Sequence, residues 1–397
     1  MEFARDRALA ETVTLVENRD PAGTPVGRIV GSSPLRLWGM TSSERLRRLL
    51  TRAGIREVGD WTGSAGDRPQ ILMRADWVFD EPLVKDLVRK PGTVLIDPVS
   101  GEAVAAHVSA ADAPHVAGLL AAGGTPGSDL PSPLRIVGPA ELTTSYNDAL
   151  RKKEPPYLLR LTAETVQAVE DRMFAGSYKG VTDLVTKYAW PWPAQRVTKW
   201  CSLAGLSPNQ VTSIGFVLVL AAQWLFWEGH FLWGLLAAWI MTFLDTVDGK
   251  LARVTLTSSK WGNIFDHGID LIHPPFWWWA WIVGLSAVGM GLAHEGLVLA
   301  VVLGGYVLQR VQEGIFMRMF GMHIHVWRPF DSWFRLITAR RNPNLILLTV
   351  AALAGRPDIG MLAVAVWTAI CLVVHGVQLV QALIARRHGP LVSWLSA

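Results

Sequence analysis

From about residue 205 onward this 397-residue chain is dominated by long apolar runs, and roughly 20 apolar residues make a helix long enough to cross a bilayer. Six runs are read as spans, at residues 210–228, 231–250, 262–288, 294–317, 343–355 and 359–384. The fifth is the shortest, hemmed in by Arg340, Arg341 and Asn342 before it and Arg356 after it. Basic residues set the orientation, because Lys and Arg collect in cytoplasmic loops. The segments after runs two, four and six carry Lys250, Arg253, Lys260, Arg318, Arg328, Arg335, Arg340, Arg341, Arg386 and Arg387, whereas those after runs one, three and five carry only Arg356. The expectation is a multi-pass protein of the cytoplasmic (inner) membrane, with six transmembrane helices and both termini on the cytoplasmic side.

The overall hydrophobic fraction of 50% averages two unlike halves. Residues 1–155 are rich in charge, Pro and Gly, with short apolar runs. Fourteen of the nineteen tryptophans lie between Trp190 and Trp333, with the densest group at Trp277, Trp278, Trp279 and Trp281, as expected where indole rings meet a membrane interface. Trp190–Leu206, with Trp192, Arg196, Lys199 and Trp200, reads as an amphipathic helix lying in that interface. Cys201 and Cys371 alone indicate neither a disulfide framework nor a cysteine zinc site. Met1–Asp20 lacks the basic-then-apolar layout of a signal peptide. The resulting division is 1–155 as a cytoplasmic α/β domain, 156–206 as a helical linker plus interfacial helix, and 207–397 as the membrane domain. The net charge of +4 calls for no nucleic acid, because the cytoplasmic loops account for the basic residues.

Inside the second and third apolar runs stand Asp245, Asp248, Asp266 and Asp270. A carboxylate in a membrane span costs about 2.5 to 3.5 kcal/mol on insertion scales, so such groups mark function. Offsets of three and four place each pair on one face of its helix. Two helix ends presenting such pairs make an oxygen-rich pocket suited to hard cations such as Mg2+ or Mn2+. Bound cation would also relieve the mutual repulsion of four negative charges. Gly249 and Gly262 allow close approach of a ligand or a second backbone, and Arg253 offers a planar fork for phosphate oxygens.

The pattern from Asp245 to Asp270, Asp-x2-Asp-Gly-x2-Ala-Arg-x8-Gly-x3-Asp-x3-Asp, resembles the signature of the CDP-alcohol phosphotransferases, membrane enzymes of phospholipid head-group synthesis. Ser207–Thr212 looks like the Pro-Asn-x-Val-Thr start of the first span in the same family. The resemblance implies a CDP-linked donor, such as CDP-diacylglycerol or a CDP-polyol, split at its diphosphate with release of CMP. An alcohol acceptor would take the phosphoryl-linked group. It further implies two metal ions, with Asp245, Asp248 and Asp266 as ligands, and Asp270 as general base and second-metal ligand. Gly249, Ala252, Arg253 and Gly262, with Asn209 and Thr212, would line the nucleotide and diphosphate end, and a homodimer packed through its spans is implied as well. Arg335, Arg340 and Arg341 can bind the phosphate of an acceptor such as inositol phosphate or glycerol phosphate, or serve as anchors for lipid phosphates. His323 and His325 are read as loop histidines.

In the first part of the chain, Thr41–Ala53 reads as an amphipathic helix closed by Gly54 and leading to a strand. An apolar run, Ile71–Phe79, is broken by Asp76, then come a helix at Glu81–Arg89 and a strand at Thr93–Asp97. This alternation argues for a layered α/β domain. It resembles the sugar-phosphate nucleotidyltransferases, with Asp76 at a metal-binding position. Thr14–Gly31 lacks the glycine-rich loop and its Arg, however, so a degenerate, regulatory or docking domain is expected. Leu158–Tyr188 follows a helical pattern. Two other classes remain for the whole chain, a divalent-cation transporter and a catalytically silent membrane scaffold.

Overall fold

In a computed structural model, residues 23–127, 130, 131 and 133–396 are described; the stretch judged for a signal peptide, and the first part of that judged for a glycine-rich loop, lie outside them. The chain divides into two compact units, one running to Asn147 and resuming at Lys153–Gly176, the other comprising Asp148–Lys152 and Ser177–Ala397.

The first unit is built on a mixed six-stranded sheet. Its strands are β1 Val26–Val30, β2 Val58–Asp60, β3 Gln70–Arg74, β4 Thr93–Ile96, β5 Ala103–Val108 and β6 Arg135–Val137, in spatial order β2-β1-β3-β5-β4-β6. β1 runs parallel to β2 and β3, whereas β5 is antiparallel to both its neighbours. β3 and β5 are buried along their whole length. The amphipathic helix forms as Ser42–Arg52, where the Thr41 side chain caps the first turn by accepting from the Glu44 amide at 3.2 Å. Asp76 does break the apolar run, which becomes β3 and a separate strand Trp77–Phe79.

The helical pattern expected over Leu158–Tyr188 is corrected. Leu158–Arg160 instead pairs antiparallel with Trp77–Phe79, and only Val166–Gly176 then forms an α-helix. The first compact unit therefore reaches Gly176, beyond the boundary expected near residue 155.

The second unit is helical. Helices form at Pro191–Leu203, Pro208–Trp227, Phe231–Val254, Lys260–Ala287, Gly305–Phe320, Arg341–Leu353 and Pro357–Arg386, with Glu295–Leu299 and a π-helical turn at Ala300–Gly304 leading into Gly305–Phe320. Three of them, Pro208–Trp227, Phe231–Val254 and Pro357–Arg386, are long and apolar enough to cross a membrane. Each of the other three expected runs is helical, with a distinguishing feature. Lys260–Ala287 has a polar first half, the fourth is interrupted by the π turn, and Arg341–Leu353 has 13 residues, about 20 Å at 1.5 Å per residue. These membrane helices make the chain an integral membrane protein.

Packing explains where the tryptophans go. Trp277, Trp278 and Trp281 are at most 1% exposed, and only Trp279 of that group faces outward, at 41%. The interfacial reading of the cluster is thus corrected for three of its four members. Two of these indole N–H groups have partners inside the bundle, Trp277 donating to the Val219 carbonyl at 3.0 Å and Trp281 to that of Pro357 at 3.1 Å. Phe226 and Phe231 pack on the Trp281 ring with centroids 5.0 and 4.5 Å away. This close packing needs a gap opposite, which Gly284 provides.

A Cβ at Gly284 would run into the Phe226 carbonyl oxygen and approach the Gly229 backbone to 3.1 Å. Because backbone cannot swing aside as a side chain can, Gly284→Ala is expected to destabilise the bundle by about 1 to 3 kcal/mol. Thermal unfolding of the detergent-solubilised protein reads this as a lowered Tm, and an unchanged Tm would contradict the packing described.

Candidate active site

Helices Phe231–Val254 and Lys260–Ala287 follow each other through a short connection, so the C-terminal end of one and the N-terminal end of the other lie at the same end of the bundle. Asp245 and Asp270 each sit about 15 Å along their helix from that end, at 1.5 Å per residue. The connection is closed by Ser259, whose hydroxyl accepts from the Gly262 amide at 2.9 Å as the N-cap of the second helix.

All four aspartates line one small cleft together with Thr212, Gly215, Met241 and Ile269. Asp245, Asp248 and Asp266 each present a carboxylate oxygen within 4.8 Å of the others. Asp248 is 3% exposed; its Oδ2 accepts from the Thr212 hydroxyl at 2.5 Å, while Oδ1 is buried without a hydrogen-bond partner. A buried carboxylate oxygen left unfilled is costly. An oxygen-only donor set with an open lone pair fits a hard divalent cation, and the cluster is a candidate metal site.

Arg341 supplies the compensating charge. Its guanidinium donates to Asp245 Oδ2 at 2.5 Å and, through the other Nη, to Asp270 Oδ1. One arginine therefore bridges a carboxylate from each helix, next to Met241 Sδ at 3.7 Å. The bridge is positioned from the neighbouring residue, because Asn342 Nδ2 donates to Asp183 Oδ1 at 3.0 Å. Burial alone would raise the Asp183 carboxyl, but the Arg335 guanidinium and hydrogen bonds from Thr186 and Asn342 outweigh it and hold the group below the usual carboxylate range.

The remaining sequence-derived residues divide by place. Gly262 faces Asn209, whose Oδ1 would lie 2.7 Å from a Cβ at that position, so these two are brought together. Gly249 gives room to the Arg253 guanidinium, 3.0 Å from where its Cβ would stand. Ala252 lies half-buried beside Arg253, whose Nε is buried and unpartnered. Thr212, expected near the nucleotide, contacts Asp248. Lys250 and Arg253 were read as loop residues, yet the helix continues to Val254 and takes both. Lys250 is 3% exposed, its ammonium 3.4 Å from the centroid of the Tyr178 ring. Of the three arginines read for acceptor phosphate, Arg341 sits in the acidic cleft. Arg340 turns to Glu313 instead, reaching both carboxylate oxygens at 2.6 Å. Arg335 keeps Nε and Nη1 without partners.

Several residues near this centre escaped the sequence reading. Arg310 and Glu313 lie on Gly305–Phe320 and His375 on Pro357–Arg386. An ionisable pair inside an apolar run was the available signal for the first two. Tyr306 is a subtler case. Pro275 has no N–H to offer the Leu271 carbonyl, and the Tyr306 hydroxyl donates to that oxygen at 2.8 Å, on the residue directly after Asp270.

Within this helical unit, carboxylates converging from two helices define a candidate site for a divalent metal. Residues 206–327 match the family model described as CDP-alcohol phosphatidyltransferase. Archaetidylinositol phosphate synthase of Pyrococcus horikoshii is 28% identical over 181 residues, covering 44% of this chain and 84% of that protein. Cholinephosphotransferase 1 of Xenopus laevis is 30% identical over 123 residues, 28% of this chain and 29% of its own. Phosphatidylinositol phosphate synthase of Streptomyces avermitilis is 31% identical over 93 residues, 22% and 38% respectively. Over this segment the chain is similar to the CDP-alcohol phosphatidyltransferases. The chain spans about a third of the length of the latter two relatives.

Because Thr212 orients the buried carboxylate of Asp248, Thr212→Val is expected to weaken Mn2+ binding roughly 10- to 100-fold. Electron paramagnetic resonance titration of free Mn2+ measures this, and an unchanged affinity would remove Asp248 from the ligand set.

Proposed function

We propose that this chain transfers a phosphoryl-linked group from a CDP-alcohol, CDP-diacylglycerol or a CDP-polyol, to a phosphorylated polyol such as inositol phosphate or glycerol phosphate, releasing CMP. The convergence of Asp245, Asp248, Asp266 and Asp270 on one cleft carries the reading. Two relatives whose names denote inositol phosphate products support the acceptor class.

Asp245, Asp248 and Asp266 would hold Mg2+ or Mn2+, with Asp270 joining a second ion, and the bound metal would neutralise the diphosphate and align its leaving oxygen. Arg253, with its free buried Nε, would take a diphosphate oxygen. Gly249, Ala252 and Gly262 would leave space for the cytidine end, with Asn209 at its edge. Asp270 would accept the acceptor's hydroxyl proton as the new P–O bond forms. In the structure described, Arg341 pairs with Asp270, and its departure toward substrate phosphate would free the base.

Arg340 and Arg341 are consecutive, one directed to Glu313 and the other to the acidic cleft. An acceptor phosphate held among Arg310, Arg335 and Arg340 would therefore stand next to Asp270. We further propose six spans with both termini and the site cytoplasmic, supported by the bias of basic residues. Pro191–Leu203 would be the interfacial helix, with Trp192, Trp200 and Leu203 more than 60% exposed and Thr198 and Cys201 turned inward. Residues 156–206 as linker and 207–397 as membrane domain are the functional division, and a homodimer is proposed on the family resemblance.

Residues 1–155 are proposed as a degenerate nucleotidyltransferase-like domain. Arg74 grips both oxygens of Asp76 at 2.9 and 2.7 Å and donates to Glu102 at 2.7 Å. Arg160 also donates to Glu102, at 3.1 Å. A carboxylate so engaged is poorly placed to ligate a metal, which favours a docking or regulatory role.

Two measurements test these assignments. Asp270→Asn is expected to lower CMP release by about 1,000-fold or more while leaving binding of the CDP-linked donor within a few-fold of wild type; full activity would refute the base. Full-length protein given CTP, Mg2+ and a sugar or inositol phosphate should release no pyrophosphate, and steady turnover would show the first domain to be active.

A further inference from the structure

A second polar cluster lies at the depth of the catalytic carboxylates. Arg341 ties the start of Arg341–Leu353 to the acidic cleft, and Pro357–Arg386 runs antiparallel to that helix, so its C-terminal end lies at the end of the bundle nearest the aspartates. His375 stands about 16 Å up from Arg386, and Arg310 about 15 Å from Phe320, at 1.5 Å per residue.

The cluster contains Glu313, His325 and His375, with nitrogen and oxygen atoms mutually within 4.8 Å. Arg340 donates to both oxygens of Glu313 at 2.6 Å, and Arg310 Nη1 is 3.2 Å away. His325 Nε2 is 3.3 Å from the same carboxylate and its ring 5.4 Å from that of His375. A carboxylate already engaged by two guanidiniums, with Arg335 also close by, is a poor ligand for a divalent cation. The positive surplus calls for an anion.

The unfilled atoms say more about that anion. Arg310 leaves Nε and Nη2 unpartnered, Arg335 Nε and Nη1, and Arg340 Nε, a set of donors suited to phosphate. His375, 0% exposed, has neither ring nitrogen hydrogen-bonded, and His325, 2% exposed, lacks a partner for Nδ1. Burial holds the His325 imidazole well below its ordinary value, so that ring is neutral, one nitrogen donating and one accepting. A phosphate offers only acceptors to such rings. A hydroxyl offers both a donor and an acceptor, and completes them.

Resting on the acceptor reading above, we infer that His325 and His375 are specificity-determining residues that bind the hydroxyls of a polyol monophosphate whose phosphate lies among Arg310, Arg335 and Arg340. The two halves of the ligand are thereby read by different groups. A neutral hydrogen bond contributes about 0.5 to 1.5 kcal/mol, so two imidazoles give roughly 10-fold preference for a polyol phosphate over inorganic phosphate.

The test uses the full chain in lipid nanodiscs, with dissociation constants from thermal-shift titration against inorganic phosphate, glycerol 3-phosphate and inositol 1-phosphate. Wild type should bind at least one polyol phosphate about 10-fold more tightly than inorganic phosphate. His375→Phe should lower that ratio to about three-fold while leaving the inorganic phosphate constant within about two-fold, and His375→Gln, which keeps a donor and an acceptor, should retain a ratio between that and wild type. Arg310→Gln should weaken all three ligands together. No preference in wild type, equal weakening of all ligands by His375→Phe, or a stoichiometric transition metal lost with His375 would each overturn the inference. CMP release measured in parallel separates the two readings. Polyol preference without CMP release counts against the transfer reading alone, and CMP release with a ratio indifferent to His375 counts against this inference alone.

Discussion

Charge inside an apolar bundle is the constraint on which the rest of this structure depends. An isolated carboxylate among membrane helices is expensive, and here Asp245, Asp248, Asp266 and Asp270 share one cleft. Arg341 bridges Asp245 and Asp270, one from each helix, and so fixes the spacing of the two helices that carry the site. The carboxylates that Arg341 does not pair leave the cleft a candidate cation site. Full neutralisation by protein groups would leave nothing for a cation to stabilise, whereas partial neutralisation keeps the site folded and receptive.

Holding these groups in place requires the apolar parts to pack tightly. Trp277 and Trp281 are wedged between Pro208–Trp227, Phe231–Val254 and Pro357–Arg386, with their N–H groups paired internally. Gly284 permits the approach by having no side chain. Pro274 and Pro275 weaken the helical hydrogen bonding immediately after Asp270. The Tyr306 hydroxyl takes up the Leu271 carbonyl that results, tying the helix of Asp270 to the helix of Arg310.

Local spacing made the aspartates legible, because a pattern confined to two consecutive helix ends needs no knowledge of the fold. Helix starts were legible for the same reason: Thr41, Asp80 and Ser207 all cap the helices that follow them. What the sequence concealed depends on which faces meet. Trp277 and Trp279 are chemically alike, and only packing decides that one is buried and the other exposed. Lys250 looked like a loop cation because the apolar run ends there, although the helix continues for another turn. Leu158–Arg160 looked helical because its strand partner, Trp77–Phe79, is some eighty residues earlier. Arg310, Glu313, His325 and His375 come from three separate segments, and no spacing rule could have joined them.

The two polar clusters are connected by a single peptide unit. Arg340 is in extended conformation as the N-cap, with φ −127° and ψ 179°, and Arg341 is the first residue of the helix. Successive residues at such a junction send their side chains in different directions, which is how one guanidinium reaches Glu313 while the next reaches Asp245 and Asp270. Asn342, held by Asp183, fixes the rotation of that junction from a third direction. A ligand that drew Arg340 from Glu313 would thus pull on the residue carrying Arg341, and a cation among the aspartates would compete with Arg341 for the same oxygens. Both clusters are thus anchored to adjacent residues of one backbone junction.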